Sequence, residues 1–419
     1  MGAEVTITDR SWLDAPAPRK LIAALDAAGL EFRFVGGAVR DALLDRPVAD
    51  VDLATPALPE AVIAGLDAAG LKSIPTGVAH GTVTALVDGH HFEITTLRRD
   101  VETDGRHATV AFSRDWREDA ARRDFTMNAL YADRDGRVSD FFGGIEDAYA
   151  GRVRFIGDPE TRIAEDALRI LRFFRFHARY GRGKPDPEGL AACGRLAAKM
   201  DRLSGERVRD ELLKLLAAPD PAWAWRAMAE AGVAAYVLAD AKVDDLERMV
   251  RLEALFALQS DSLRRLAGLA GRHDAEGVAA LKKRLKLSNR DAERLLFSSG
   301  AGPRTVLIAH GAFGRALYAG EPTWVRDAAL LEHVRSGSPD LSKLGEFLRF
   351  LESWHEPRFP LTGADLRRRG VPEGEAVGRL LREIELWWAT SDFTPDRQAC
   401  LAELDRVLAR AMPPRGEAT

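Results

Sequence analysis

Cysteine is almost missing from this 419-residue chain. Only Cys193 and Cys400 are present, far apart, which excludes a disulfide scaffold and a cysteine-rich zinc site and suits a reducing compartment. No apolar run approaches the ~18 residues that a membrane span needs. The stretch Met1–Lys20 carries Asp9, Arg10, Asp14 and Arg19, so it has no signal-peptide apolar region, and a cytoplasmic protein with no membrane partner is expected. Charge of one sign is lacking too. Lys and Arg total 60 against 64 Asp and Glu, a net of -4, so bulk attraction to a polyanion is not expected, although a local basic surface remains open. Lysine is scarce, ten of the 60 basic residues. Arginine's planar fork suits phosphates and base edges, but GC-rich codon usage explains the same bias. What is present in quantity is apolar: 46% hydrophobic with 30% charged, enough for a substantial core and, at this length, for about three domains.

The pattern changes along the chain. From about Glu31 to Asp140 short apolar strands mix with one or two helices. Phe32–Val35 reads as a strand, Ala38–Leu44 as a helix begun through Gly36-Gly37, and Asp50–Thr55 as a strand. Thr82–Val87 and His91–Thr96 alternate around Asp88-Gly89, a strong hairpin signal. From about Thr161 the chain reads as almost continuous helix, punctuated by Gly and Pro at Gly181–Pro187, Pro219–Pro221, Gly300–Pro303 and Pro357–Pro360. No fixed-period repeat is found. The outline is an α/β head followed by a long all-α body.

Three clusters can carry chemistry. In Val35-Gly36-Gly37-Ala38-Val39-Arg40-Asp41 two glycines follow a strand and open a helix, where backbone can approach a phosphate; alone, such a turn is usually only a turn. Asp50 and Asp52 fall at i and i+2 of the strand, hence on one face. Two such carboxylates repel, and a divalent cation shared with substrate phosphates relieves this. Glu93, on the returning hairpin strand, is a candidate third carboxylate for a two-metal clamp. Solvated edge charges are the plain alternative. The second cluster is Arg122-Arg123-Asp124-Phe125-Thr126-Met127-Asn128-Ala129-Leu130: a triphosphate clamp, or an ion-pair network with Asp119 and Asp124.

The third runs from Glu165 to Arg175. Asp166, Arg169, Arg172 and Arg175 follow at i+3 steps on one helix face, with Leu168, Leu171 and Phe174 inward. A carboxylate that accepts and guanidiniums that donate can address a nucleobase edge; ion pairing on a solvated helix is the plain reading. Thr161–Leu215 carries 13 Lys and Arg against 8 Asp and Glu, a local net of +5, as expected where phosphates bind. Leu281–Lys286 and Arg367-Arg368-Arg369 are further basic runs, each an RNA contact or a solvated face.

The order and spacing of GGAVRDALLDRPVADVDLAT, HGTVTALVDGHHFEITTLRRD, RRDFTMNAL, DFFGGIEDAYAGRVRFIGDP and RIAEDALRILRFFRFHARYG resemble the class II tRNA nucleotidyltransferase (CCA-adding enzyme) and bacterial poly(A) polymerase family. The resemblance covers roughly residues 31–215, and LTGADLRRRGVPEGEAVGRLLREI looks like the tail of bacterial members. It implies an α+β fold: a polymerase-β-like head with a mixed sheet over 1–150, then an all-α neck over 151–215 and body and tail over 216–419. It further implies Mg²⁺ on Asp50 and Asp52, and nucleotide contacts from Gly36, Gly37, Arg40 and Arg123. Asp166 and Arg169 would read the base of CTP or ATP, with Arg172 and Arg175 beyond them, and Glu93 could activate the attacking hydroxyl.

The implied activity is template-independent addition of C, C and A to the tRNA 3′ end. A poly(A) polymerase, a CC-only or A-only enzyme, and a silent RNA-binding homologue are the alternatives. Two positions depart from the family pattern, Asp45 where glycine is usual and Ser139-Asp140-Phe141 in place of an Asp-Pro turn. The stretch Asp104–His107 is also atypical. His273-Asp274 is the sole His-Asp pair, so no phosphohydrolase domain is expected.

Overall fold

The computed structural model describes residues 5–103, 108–299, 307–308, 310–318 and 320–411. The atypical stretch 104–107 and the joint at 300–303 therefore lie outside the described residues. The chain divides into two compact units, 1–243 with 284–286, and 244–283 with 287–419.

The first unit is built on a seven-stranded sheet in the order β3-β4-β5-β2-β1-β8-β9. Its strands are β1 (Arg33–Val35), β2 (Asp52–Thr55), β3 (Lys72–Gly77), β4 (Thr82–Val87), β5 (His90–Thr96), β8 (Leu130–Ala132) and β9 (Val138–Asp140), while β6 (Arg98–Thr103) and β7 (Ala108–Phe112) form a separate ribbon. Only β2 and β5 run parallel; all other neighbours are antiparallel. The β4–β5 hairpin forms as the alternation requires, with Val87 opposite His90. Its two turn residues, Asp88 and Gly89, have φ of 49° and 82°, the paired positive values of a type I′ turn.

Helices α1 (Ser11–Asp14), α2 (Pro16–Ala27), α3 (Gly37–Leu43) and α4 (Pro59–Ala68) accompany the first strands. Leu13, Leu21, Leu25, Val39, Val62 and Leu66 join Phe34, Leu53, Val83 and Ile94 in one buried apolar cluster. Helix α5 (Trp116–Ala121) leads to the Arg122-Arg123 segment, and α6 (Gly144–Ala150) follows β9. The Asp140 carboxylate accepts from the backbone N–H groups of Phe142, Gly144 and Ile145 at 3.0, 3.0 and 2.9 Å, so it makes the turn and satisfies donors at the start of α6. Asp45 has φ of 52°, a left-handed conformation that Asp tolerates better than most side chains.

Helices α7 (Pro159–Glu165), α8 (Leu168–Tyr180), α9 (Pro187–Arg195) and α10 (Gly205–Leu216) complete the part of the first unit that matters for the site. An aromatic stack fixes α8 to the head: Phe125 lies 4.9 Å from Phe155 and 5.2 Å from Phe176, and Phe155 lies 5.5 Å from Phe173. Each fully buried ring of this size contributes ~1.5–3 kcal/mol by leaving water, and such pairs add ~0.5–1.5 kcal/mol.

Described residues of the second unit form helices and no strand. In it, Leu361, Leu366, Leu380, Ile384, Trp388, Cys400 and Leu404 share a buried cluster. The run Arg367-Arg368-Arg369 makes ion pairs with Glu373, Asp365 and Asp405. In the other basic run, Arg284 donates to the backbone oxygens of Tyr236 and Val237, while Lys283 and Lys286 are exposed.

Candidate active site

A cavity of about 480 Å³ opens in the first unit, lined chiefly by residues of three sequence regions, with Asp52 and Arg207 added from elsewhere. The first is the β1–α3 turn. Gly36 has φ 71° and ψ -119°, a region that side chains with a Cβ avoid. The turn is held by Gly36 N–H donating to the Leu130 oxygen at 3.0 Å. Gly36, Gly37 and Arg40 all line the cavity. Arg40 is only 5% exposed: its Nη2 donates to the Tyr180 hydroxyl at 2.7 Å, its Nε to Asp41 at 3.0 Å, and its Nη1 to the Asn128 side chain. The Tyr180 ring lies beneath its guanidinium at 4.1 Å.

Asp52 enters the cavity from β2. The strand begins at Asp52, so Asp50 stands outside it, and the argument from alternation along one strand does not hold for that residue. Glu93 is placed by register instead. Leu53 pairs with Ile94 across the parallel β2–β5 contact; both are buried, which puts Asp52 and Glu93 side by side on the exposed face. Asp52 is accessible along the cleft, yet the protein mass around it raises its pKa to about 6, with the like charges of Glu93 and Asp50 adding to the rise and Arg123 opposing it. Asp50 and Glu93 are not among the residues that line the cavity. Among the described residues no three His, Cys, Asp or Glu side chains enclose a common metal position. The donor set still fits a hard divalent cation whose remaining ligands come from a phosphate-bearing substrate, as Mg²⁺ prefers.

The second region is the Arg122–Asn128 segment. Asp119, buried on α5, accepts from Arg122 at 2.8 Å, from Arg123 at 3.1 Å and from the Tyr131 hydroxyl at 2.6 Å. Burial alone would raise this carboxyl, but the Arg123 and Arg122 guanidiniums and Tyr131 together hold it below the usual range. The ion-pair reading of the two arginines thus holds for Asp119, and both still line the cavity. Asp124 pairs with neither of them. Its Oδ2 receives Arg172 at 2.8 and 2.5 Å, and its Oδ1 receives the Asn128 amide at 2.9 Å. Against the opposing effect of burial, Arg172 and these hydrogen bonds lower its pKa.

The third region departs from expectation. Asp166, Arg169, Arg172 and Arg175 do not share one helix, because α7 ends at Glu165 and Asp166 is extended, with φ -150° and ψ 105°. Its Oδ1 accepts from the Leu168 N–H at 3.1 Å, a local bond that competes with helix continuation. Its Oδ2 accepts from Arg207 of α10 at 2.7 Å. Arg169 pairs with Glu165 and donates to the Arg122 oxygen at 3.0 Å. Arg169, Arg172 and Arg175 are half-buried rather than solvated. Arg175 donates to buried Glu211 at 2.5 Å and is not among the residues lining the cavity, whereas Asp166, Arg169 and Arg172 are.

Asn128, Phe176 and Arg207 also line the cavity and were not singled out by sequence reasoning. Asn128 lies inside a motif already noted, but Arg207 sits 41 residues from its partner and no local spacing announces it.

Comparison with known proteins gives matches over most of the chain. The family described as Poly A polymerase head domain matches residues 32–154, and the one described as Probable RNA and SrmB- binding site of polymerase A matches residues 184–243. The mitochondrial CCA tRNA nucleotidyltransferase 1 of Danio rerio is 35% identical over 404 residues, covering 90% of this chain and 87% of the relative. Its Homo sapiens counterpart is 34% identical over 395 residues, with the same coverage of 90% and 87%. Among solved structures, the Bacillus stearothermophilus CCA-adding enzyme in complex with CTP aligns with a TM-score of 0.73 at 28% identity, covering 95% of this chain and 100% of that one. The Thermotoga maritima CCA-adding enzyme complexed with tRNA shares the fold, with a TM-score of 0.66 at 20% identity and coverage of 97% and 100%.

Proposed function

This chain belongs to the CCA-adding tRNA nucleotidyltransferase family, and from that premise we propose which of its residues carry the reaction. The protein adds C, C and A from CTP and ATP to the 3′ end of tRNA without a nucleic-acid template and releases pyrophosphate. The observation that carries the residue assignment is the cavity itself. One wall offers the Asp52 carboxylate, which holds no side-chain ion pair, and the other offers guanidiniums already fixed by buried acids.

In this reading the tRNA 3′ hydroxyl oxygen attacks the α-phosphorus of CTP or ATP. A new O–P bond forms, the α–β bridging bond breaks, and pyrophosphate leaves. Family membership brings a divalent-metal dependence, and we assign Mg²⁺ to Asp50 and Asp52. When bound, that ion supplies charge neutralisation to the attacking oxygen and the triphosphate. We assign the uptake of the hydroxyl proton to Glu93, beside Asp52. Gly36 and Gly37 let the triphosphate approach the backbone, and Arg40 and Arg123 face its charge. The carboxylate of Asp166 accepts from the exocyclic amino group that cytosine and adenine share, while Arg169 donates to a ring or carbonyl acceptor. Arg172 extends this contact, and Arg175 acts through Glu211 and Arg172 rather than by touching the nucleotide.

Along the chain, residues 1–150 do the chemistry, 151–215 read the base and 216–419 hold the tRNA. Buried, unpaired thiols at Cys193 and Cys400 suit a reducing location, for which we propose the cytoplasm. No helix among the described residues is long and apolar enough to cross a membrane. The test is incubation with Mg²⁺, CTP, ATP and tRNA lacking its terminal CCA. Three added residues and a stop, with stoichiometric pyrophosphate, are expected. An open-ended A tract would mean a poly(A) polymerase.

A further inference from the structure

We infer that Asn128 is a positioning residue for nucleotide binding, whose side-chain amide sets Arg40 of the β1–α3 turn at a fixed place relative to Arg172 of α8. The inference rests on the reading that the cavity receives CTP and ATP.

The geometry is a chain of complementary donors and acceptors. Asn128 Oδ1 accepts from Arg40 Nη1, and Asn128 Nδ2 donates to Asp124 Oδ1 at 2.9 Å. The other oxygen of Asp124 accepts from Arg172 Nε at 2.8 Å. All four residues line the cavity, and Asn128 is only 7% exposed. Its backbone is fixed in the short turn Thr126–Asn128, where its N–H donates to the Phe125 oxygen at 2.9 Å. The Phe176 ring supports the same pair, with the guanidiniums of Arg40 and Arg172 each 5.3 Å from its centroid.

An amide is the side chain this position requires. It presents an acceptor to a guanidinium and a donor to a carboxylate from opposite ends of one planar group. Aspartate would satisfy Arg40 but would set a second negative charge against Asp124. An apolar residue would leave a buried guanidinium N–H and a carboxylate oxygen each short of a partner. Arg40 keeps Asp41 and Tyr180 in either case, so losing Asn128 moves this arginine rather than releasing it.

Because Arg40 and Arg172 face the cavity whichever base is bound, Asn128 acts on CTP and ATP alike. Selection between nucleotides stays with Asp166 and Arg169. The experiment compares the unsubstituted chain with Asn128→Ala, Asn128→Asp, Asp124→Asn and the double variant Asn128→Asp/Asp124→Asn. The double variant restores one donor facing one acceptor between positions 124 and 128 with the direction reversed and the total charge unchanged; the Phe125 N–H loses its acceptor at position 124 equally in Asp124→Asn and in the double variant, so that loss cancels in the comparison. KM and kcat are measured for CTP on tRNA lacking CCA and for ATP on tRNA ending in CC, and folding is followed by thermal melting.

Each single substitution should raise both KM values about tenfold, roughly what a shifted hydrogen-bonded cation costs, with a smaller change in kcat. Discrimination against UTP and GTP should not change. The double variant should recover CTP binding beyond what the two single losses predict when summed, which is the signature of direct coupling. Should Asn128→Ala fail to fold, the near-isosteric Asn128→Asp and the double variant decide the matter. Folded single variants with unchanged KM, or a double variant with purely additive losses, would overturn the inference. An unsubstituted chain that adds nothing to tRNA overturns the proposed function instead, and that result is read before any variant is made.

Discussion

Two sets of acidic side chains in the first unit are treated in opposite ways. Asp119, Asp124, Asp166 and Glu211 each hold at least one guanidinium, and Asp119, Asp124 and Glu211 are buried. Asp50, Asp52 and Glu93, on or just before the interior strands β2 and β5, have no side-chain hydrogen bond or ion pair among the described residues, and the last two share the exposed face. The difference separates two kinds of work. Carboxylates whose charge is balanced within the protein fix the arginines that must meet a substrate, so those arginines need little reorganisation when it binds. Carboxylates left unbalanced repel one another, and a cation from outside removes that cost.

The largest expected effect tests the unbalanced set. Asp52→Asn should lower incorporation of both CTP and ATP by roughly a thousandfold or more, because several kcal/mol of transition-state stabilisation depend on the metal it helps to hold. Its melting temperature should not fall, since a repulsive charge is removed. A variant that stays active, or that melts earlier, would erase the contrast. Next comes the balanced set: Glu211→Ala leaves Arg172 without one of its two acids and Arg175 without its buried partner, and should destabilise the fold by about 3–5 kcal/mol. Denaturant titration reads that loss directly.

Smaller effects sharpen the comparison. Arg169→Ala should relax selection by roughly ten- to a hundredfold, the ~1–3 kcal/mol that a bidentate base contact supplies, and competition between CTP and UTP measures it. The smallest effect is a pair of opposite responses to acid in the presence of EDTA. Asp52 has a raised folded pKa of about 6, so its charged form disfavours the native state and the penalty fades as pH falls through that value. Asp119 and Asp124 have lowered folded pKa values. Their stabilisation is complete above the unfolded value of ~3.9 and is lost only as pH falls below it. Melting temperature should therefore hold or rise slightly from pH 7 to 5 and drop below pH 4. In Asp52→Asn the rise should vanish and the drop remain.

Local patterns in the sequence carried a good part of this structure. The Asp88-Gly89 hairpin was legible because a two-residue turn with both φ positive demands those residue types. The Gly36-Gly37 turn was legible for the same kind of reason, whereas the strand expected from Asp50 begins only at Asp52. The single helix face from Asp166 to Arg175 was not. Spacing at i+3 is equally satisfied by a helix that breaks, and the break arises where the Asp166 carboxylate bonds the Leu168 N–H. The same limit applied to Arg175, whose spacing matches that of Arg172 although its guanidinium turns to Glu211.

The chain by itself determined which charged groups exist and which short segments present them, because turns, strands and helices impose fixed spacings on neighbouring residues. Only the tertiary structure decided which of those groups are balanced and which are left open. Arg172 meets Asp124 from 48 positions away and Arg207 meets Asp166 from 41; Asp52 and Glu93 are brought together by strand register. Pairing of charges at such separations follows from packing of the core, where apolar burial fixes the backbones first and leaves each carboxylate with whatever neighbour that arrangement supplies.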